Sequence, residues 1–200
     1  MSPSNSKSPK KIVVFASGSG TNTENIIRYF QDSEDIEVSL VLSNKQTAKV
    51  LERAHKLNVI ALHFDRTAFY TTHDVLHILE DTNPDLIVLA GFLWLFPNNI
   101  LEKFPKKVIN LHPALLPKFG GKGMFGDKVH QAVLEEKEKE TGITIHYVNE
   151  KYDEGQVIFQ KAIPVSANDT VQSLAEKIHE LEYRHFPKVI ADLLESNSLD

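Results

Sequence analysis

The chain has no cysteine. Disulfides, thiolate nucleophiles and cysteine-ligated zinc are therefore excluded, and the composition suits a reducing compartment. No apolar run reaches the ~20 residues that a membrane span needs. The opening residues, MSPSNSKSPKK, are polar and lack the apolar segment of a signal peptide. Positive charge is not in excess either: 22 Lys and Arg against 27 Asp and Glu leave a formal charge of -5. That balance disfavours nucleic acid as the main partner, because phosphate backbones select basic faces. Small anions stay open, since backbone amides can hold them locally. The expected location is the cytoplasm, with residues 1–10 a flexible tail and residues 11–200 one domain. A chain of this length buries roughly 70% of its extended surface, enough for a core without staples.

What is present is a rhythm. KIVVFAS is a short apolar run bounded by glycines, suited to a strand buried on both faces. TNTENIIRYFQD reads as a helix capped by Thr21 or Asn22. IEVSLVLSN, VIALHF, DLIVLAG and KVINLH read as further strands, with TAKVLERAHKL and AFYTTHDVLHILEDT as helices among them. This alternation predicts βαβ units and a mostly parallel sheet. GITIHYVNE and GQVIFQKAIPV, separated by KYDE, then predict a hairpin-like pair. The last segment, TVQSLAEKIHELEYRHFPKVIADLLES, predicts a helix that Pro187 bends or interrupts. EEKEKE, Glu135 to Glu140, reads as a solvated helix end. The expected class is α/β: a doubly wound, mostly parallel sheet with helices on both faces and a late antiparallel strand pair.

Three segments carry the chemistry. ASGSGTN, Ala16 to Asn22, lies between the first strand and the first helix, where such folds bind phosphate. Glycines there let backbone approach a ligand, and the helix start offers unpaired N–H groups. It is neither a full dinucleotide fingerprint nor a Walker sequence, and a plain strand-to-helix turn is the competing reading. VLAGFLWLFP ends the fourth strand, so that Phe92 to Phe96 either line an apolar slot for a flat heterocycle or are ordinary core. NLHPALLP is the most informative stretch. Asn110 and His112 stand two apart on a strand and share a face. An amide and a protonated imidazole there can stabilise a carbonyl oxygen as it becomes an anion. Their candidate partner is Asp153 in YDEGQ, whose carboxylate would favour the imidazolium and relay a proton. Asp153 as an ordinary turn residue beside Gly155 is the alternative. His55, His63, His73 and His77 show no metal-ligand spacing, and no metal is expected.

The order ASGSGTN, VLAGFLWLFP, NLHPALLP, YDEGQVIFQ resembles the phosphoribosylglycinamide formyltransferases, folate-dependent enzymes of purine synthesis. The resemblance runs from about Lys11 into the final helix. It implies Asn110, His112 and Asp153 as the catalytic group, and Gly20, Thr21 and Asn22 as holders of the ribonucleotide phosphate. It further implies a folate site at Leu93, Trp94, Leu95 and Phe96, with Asn110 and Arg66, and a ribose contact at Glu182. Ser19 stands where Asn is common and Trp94 where Arg is common. The GGKGMFGDKVH loop is longer than in many relatives, which leaves the roles of Lys122 and His130 open.

The implied reaction is direct transfer of the formyl group of 10-formyltetrahydrofolate to the primary amine of glycinamide ribonucleotide. No resident cofactor or metal is expected, the partners are small molecules, and the chain is a monomer or homodimer. A formyltetrahydrofolate hydrolase shares the trio but usually carries an extra N-terminal domain, for which the ten-residue tail has no room. A methionyl-tRNA formyltransferase usually adds a C-terminal domain and a more basic surface. A sugar-nucleotide formyltransferase stays open, as does a non-catalytic nucleotide-binding module. A dinucleotide oxidoreductase is disfavoured, because no acidic residue closes the second strand to hold a ribose.

Overall fold

Runs of Val, Ile and Leu that cannot hide on one face become the strands of a sheet covered on both faces. The computed structural model describes residues 8–196. The expected tail lies mostly outside them, and the first strand already includes Lys10. The parallel strands are β1 (Lys10–Phe15), β2 (Ile36–Ser43), β3 (Ile60–His63), β4 (Leu86–Leu89) and β5 (Val108–His112). β6 (Glu140–Tyr147) and β7 (Val157–Pro164) follow as antiparallel neighbours. The seven-stranded order is β3-β2-β1-β4-β5-β6-β7. The doubly wound sheet and its late antiparallel pair are as the rhythm predicts.

Alternation along β1 sorts the core into two layers. Ile12 and Val14 face α1 (Thr21–Phe30), α2 (Lys49–Lys56) and the last helix, α7 (Val171–Ser196). Val13 and Phe15 face α3 (Arg66–Tyr70), α4 (Asp74–Thr82) and α5 (Asn98–Lys103). Phe15 is fully buried and meets the edges of Phe64, Phe92 and Phe96. Truncating such a ring to alanine costs about 3–5 kcal/mol. The strand order reverses between β1 and β4, so their carboxyl ends open the crevice where ligands of this fold gather.

Several local expectations are corrected. The helix read over residues 68–82 is two helices, α3 and α4. Thr71 and Thr72 both donate their N–H to the Thr67 carbonyl, and His73 turns left-handed at φ 63° before α4. Two adjacent β-branched residues make the break easy. α5, six residues long with Ile100 buried, was not among the helices expected. Glu135 to Glu140 is not one helix end: α6 (Asp127–Glu135) stops at its first residue, and Glu140 already begins β6. Gly20, not Thr21 or Asn22, caps α1, at φ 75° with no side-chain bond. A Cβ there would lie 2.4 Å from Val50 Cγ2, so glycine is required on both counts.

Pro187 neither ends nor interrupts α7, which runs from Val171 to Ser196. A proline inside a helix leaves the carbonyl four residues back without its N–H partner. That carbonyl belongs to Tyr183, and Asn25 of α1 donates its side-chain amide to it at 3.0 Å. A neighbouring helix thus supplies the missing donor.

Candidate active site

A cavity of about 600 Å³ opens beyond the carboxyl ends of β1, β4 and β5. Its walls include the glycine loop, the segment after β4, the end of β5, the loop 121–126 and the loop that carries Asp153. Ser17 ties the first two walls together. Its hydroxyl donates to Asn44 Oδ1 at 2.6 Å and accepts the Leu93 N–H at 3.0 Å.

Gly20, Thr21 and Asn22 all line the cavity, and the first-turn amides of α1 have no intrahelical acceptor. The Asn22 side-chain amide donates to Glu182 Oε2 at 2.8 Å. Glu182 lines the cavity too, though only 5% exposed. Burial pushes its carboxyl above the ordinary range, against Asn22 and His179, which pull it down. Lys122 and His130 are part of the lining, as is His179, which sequence reasoning missed. Burial likewise pushes His130 down, and its Nδ1 is buried without a partner.

Leu93, Trp94, Leu95 and Phe96 form the apolar wall. Arg66 is brought to its edge rather than into the cavity: its guanidinium lies 5.0 Å from the Trp94 ring centre and 5.1 Å from Tyr70. The Tyr70 hydroxyl in turn donates to the Leu95 carbonyl at 2.8 Å. Trp94 is thus held as one plate of a cation–π stack.

The polar floor comes from β5, β6 and the loop 148–156. Asn110 and His112 project from β5, and Asp153 reaches both. Asp153 Oδ2 is 3.6 Å from His112 Nδ1 and accepts the Gly121 N–H at 2.9 Å. Its Oδ1 accepts from Asn110 Nδ2 at 3.3 Å. His112 is 3% exposed, and its Nε2 meets the Phe119 carbonyl at 2.8 Å. β6 adds His146, unnoticed in the sequence, which pairs in register with Asn110. Its neighbour Thr144 stands opposite His112 and ties down the proline loop, donating to the Ala114 carbonyl at 2.6 Å and accepting the Leu116 N–H at 3.0 Å.

Charge at this floor is finely set. Burial pushes the His112 imidazole below its ordinary value, while Asp153 and the Phe119 carbonyl pull it up. Burial alone would raise the Asp153 carboxyl; His146, His112 and the Gly121 amide outweigh it and hold it below the ordinary range. Both ring nitrogens of His112 face acceptors, an arrangement that suits an imidazolium. Asp153 is therefore the group that decides how readily the buried ring takes a proton. Among the described residues, no cluster of three or more His, Asp or Glu could hold a metal ion, and no helix is long and apolar enough to cross a membrane.

A doubly wound sheet with a polar floor, a glycine loop and an apolar wall at its switch point is the architecture of an α/β enzyme. Residues 10–190 match the formyl transferase family model, and the chain belongs to that family. It is 38% identical over 192 residues to the chloroplastic phosphoribosylglycinamide formyltransferase of Arabidopsis thaliana, covering 93% of this chain and 66% of that protein. It is 36% identical to the Bacillus subtilis phosphoribosylglycinamide formyltransferase, covering 94% of this chain and 97% of that one. The crystal structure of glycinamide ribonucleotide transformylase 1 from Symbiobacterium toebii superposes with a TM-score of 0.86 at 33% identity, over 96% of this chain and 94% of the other.

Proposed function

We propose that the protein transfers the formyl group of 10-formyltetrahydrofolate to the primary amine of glycinamide ribonucleotide, a step of purine biosynthesis, with residues 11–200 as one catalytic domain. Relatives named phosphoribosylglycinamide formyltransferase support the acceptor, and the one from Bacillus subtilis matches this chain over nearly its full length. The observation that carries the reading is the meeting of Asn110, His112 and Asp153 at the cavity floor. They lie between a wall fit for phosphate and a wall fit for a flat heterocycle.

The ribonucleotide phosphate would sit on the Gly20 to Asn22 backbone, with the ribose at Glu182 and the folate ring against Leu93 to Phe96. The amine nitrogen attacks the formyl carbon, and the carbonyl electrons move to oxygen. Asn110 and protonated His112 stabilise that oxyanion. As it collapses, the bond to the folate nitrogen breaks; the amine gives up one proton and the folate nitrogen gains one. Asp153 holds the imidazolium and helps that proton move, directly or through water. His112 Nε2 meets the Phe119 carbonyl, and the substrate oxygen would take that carbonyl's place. Bringing two bound reactants together supplies much of the acceleration. The partners in this reading are small molecules, with no nucleic acid or membrane involved.

The test is spectrophotometric release of folate from 10-formyltetrahydrofolate, with and without glycinamide ribonucleotide, in the wild type and His112→Ala. Release that needs the ribonucleotide and collapses in the variant is the expected result. Release without an acceptor would make the protein a hydrolase. Binding without turnover would leave a nucleotide-binding module.

A further inference from the structure

His146 has no part in the reaction as written above, yet it is 2% exposed and sits in the cavity lining beside the reacting groups. Its ring is held at both nitrogens. Nδ1 lies 2.8 Å from the Tyr147 carbonyl, which can only accept, so Nδ1 carries the proton. Nε2 stands 3.1 Å from Asn110 Nδ2 and 3.6 Å from Asp153 Oδ1, and with one proton on the ring its lone pair faces the closer amide.

The Asp153 carboxylate decides which way the Asn110 amide points. With its NH2 toward β6, one hydrogen goes to His146 Nε2 and the other to Asp153 Oδ1 at 3.3 Å. The flipped amide would set its oxygen against the Asp153 carboxylate. It would also demand a proton on His146 Nε2, and since Nδ1 already gives its own to the Tyr147 carbonyl, the buried ring would have to be charged. The bond to Asp153 is the longer of the two, so that hydrogen is the one an incoming oxygen can claim. His146 keeps the other and fixes the plane of the amide.

The surrounding backbone is built for this contact. The β6–β7 pairing skips Ile158 between Ile145 and His146, an irregularity of the kind that re-aims a side chain. A Cβ on Gly155 would fall 1.6 Å from the Tyr147 oxygen and 3.3 Å from His146 Nδ1. Only glycine leaves room for that carbonyl to meet the ring.

We propose that His146 is a positioning residue, which orients the Asn110 side-chain amide toward the formyl oxygen through Nε2. The proposal rests on the formyl-transfer reading, and its test separates the two. Two substitutions divide the ring's contacts: His146→Asn keeps a donor near Nδ1 for Tyr147 and loses the Asn110 contact, whereas His146→Gln keeps an acceptor near Nε2. With His146→Asn, kcat should fall roughly 10- to 100-fold with little change in either KM, and His146→Gln should restore it to within about threefold. In an Asn110→Ala background, His146→Asn should cost nothing further, because the group it aims is gone. Equal losses in both backgrounds, or unchanged kcat in His146→Asn, would overturn the proposal. Nitrogen-15 NMR of the imidazoles gives a readout that needs no activity. His146 should carry its proton on Nδ1, and Asn110→Ala should move the Nε2 resonance alone. A proton on Nε2 would overturn the proposal even if formyl transfer is confirmed. Absence of formyl transfer with the Nδ1 proton in place would sink the functional reading and leave the contact standing.

Discussion

Asp153→Asn isolates charge from shape. The replacement amide can still accept the Gly121 N–H, which now holds the carboxylate at 2.9 Å, so the loop should keep its place. What disappears is a negative charge 3.6 Å from His112 Nδ1, together with the weaker Oδ1 contact to Asn110 at 3.3 Å, which the new NH2 cannot accept. Coulomb attraction at that separation is about 4–5 kcal/mol at an effective dielectric near 20 and about 1 kcal/mol in bulk water. The floor is buried but opens to a cavity, so we take about 2–3 kcal/mol between those limits. At ~1.4 kcal/mol per decade this is roughly 10²-fold in kcat. The sign follows from the cause. Burial already pushes His112 down and Asp153 pulls it up, so losing the carboxylate lets the ring shed its proton at still lower pH. Activity that needs the imidazolium falls as pH rises through that pKa. In the variant this falling limb should move to lower pH, with both KM values within about threefold. The measurement is kcat against pH under saturating substrates. A kcat within threefold of wild type across the range, or a limb displaced to higher pH, would refute the role given to Asp153.

Glu182→Gln should raise KM for the ribonucleotide roughly tenfold with a smaller effect on kcat, because a buried carboxylate positioned by Asn22 is replaced by an amide of different donors; steady-state kinetics with the ribonucleotide varied checks it. Trp94 is the one tryptophan of the chain, so folate binding should change the protein's fluorescence, and Trp94→Ala should abolish that signal and weaken folate binding roughly tenfold. Asn25→Ala should lower stability by about 1 kcal/mol in denaturant titration, since the Tyr183 carbonyl loses the donor that stands in for the N–H missing at Pro187. Asp169 accepts from Lys177, the Ser166 N–H and Ser173 ahead of α7, and its pKa is lowered to about 2. A carboxyl depressed on folding contributes stability present above its unfolded pKa and lost as pH falls through the folded one. Asp169→Ala should therefore cost about 1–2 kcal/mol at pH 7, after allowance for the half-exposed lysine, and the difference from wild type should vanish as pH falls from about 4 toward 2.

Strands were legible because a strand buried on both faces must be a run of apolar residues, and KIVVF or DLIVL has few other ways to hide from water. Helices were less so. Thr71 and Thr72 sit inside an apparently continuous pattern, yet their stiff side chains and the left-handed His73 divide it. Pro187 misled in the opposite direction. Its disruption was judged from the helix alone, and the donor that repairs it comes from Asn25, 158 positions away from Tyr183 in the chain.

The same distinction governs the site. Asn110 and His112 could be read as a pair because strand geometry alone puts residues two apart on one face. Asp153 could be named but not placed, since its approach depends on a loop in which it adopts a left-handed φ of 57°. His146 was invisible: in GITIHYV it and Thr144 are polar residues in an otherwise apolar strand, the ordinary setting of a buried histidine. It gains meaning only from the register that sets it opposite Asn110, and register across β5 and β6 is fixed by the whole sheet rather than by either segment. Chemistry carried on one strand leaves a local trace in sequence. Chemistry assembled across strands leaves its trace in the pairing, and here the pairing determines which atom of Asn110 a substrate would meet.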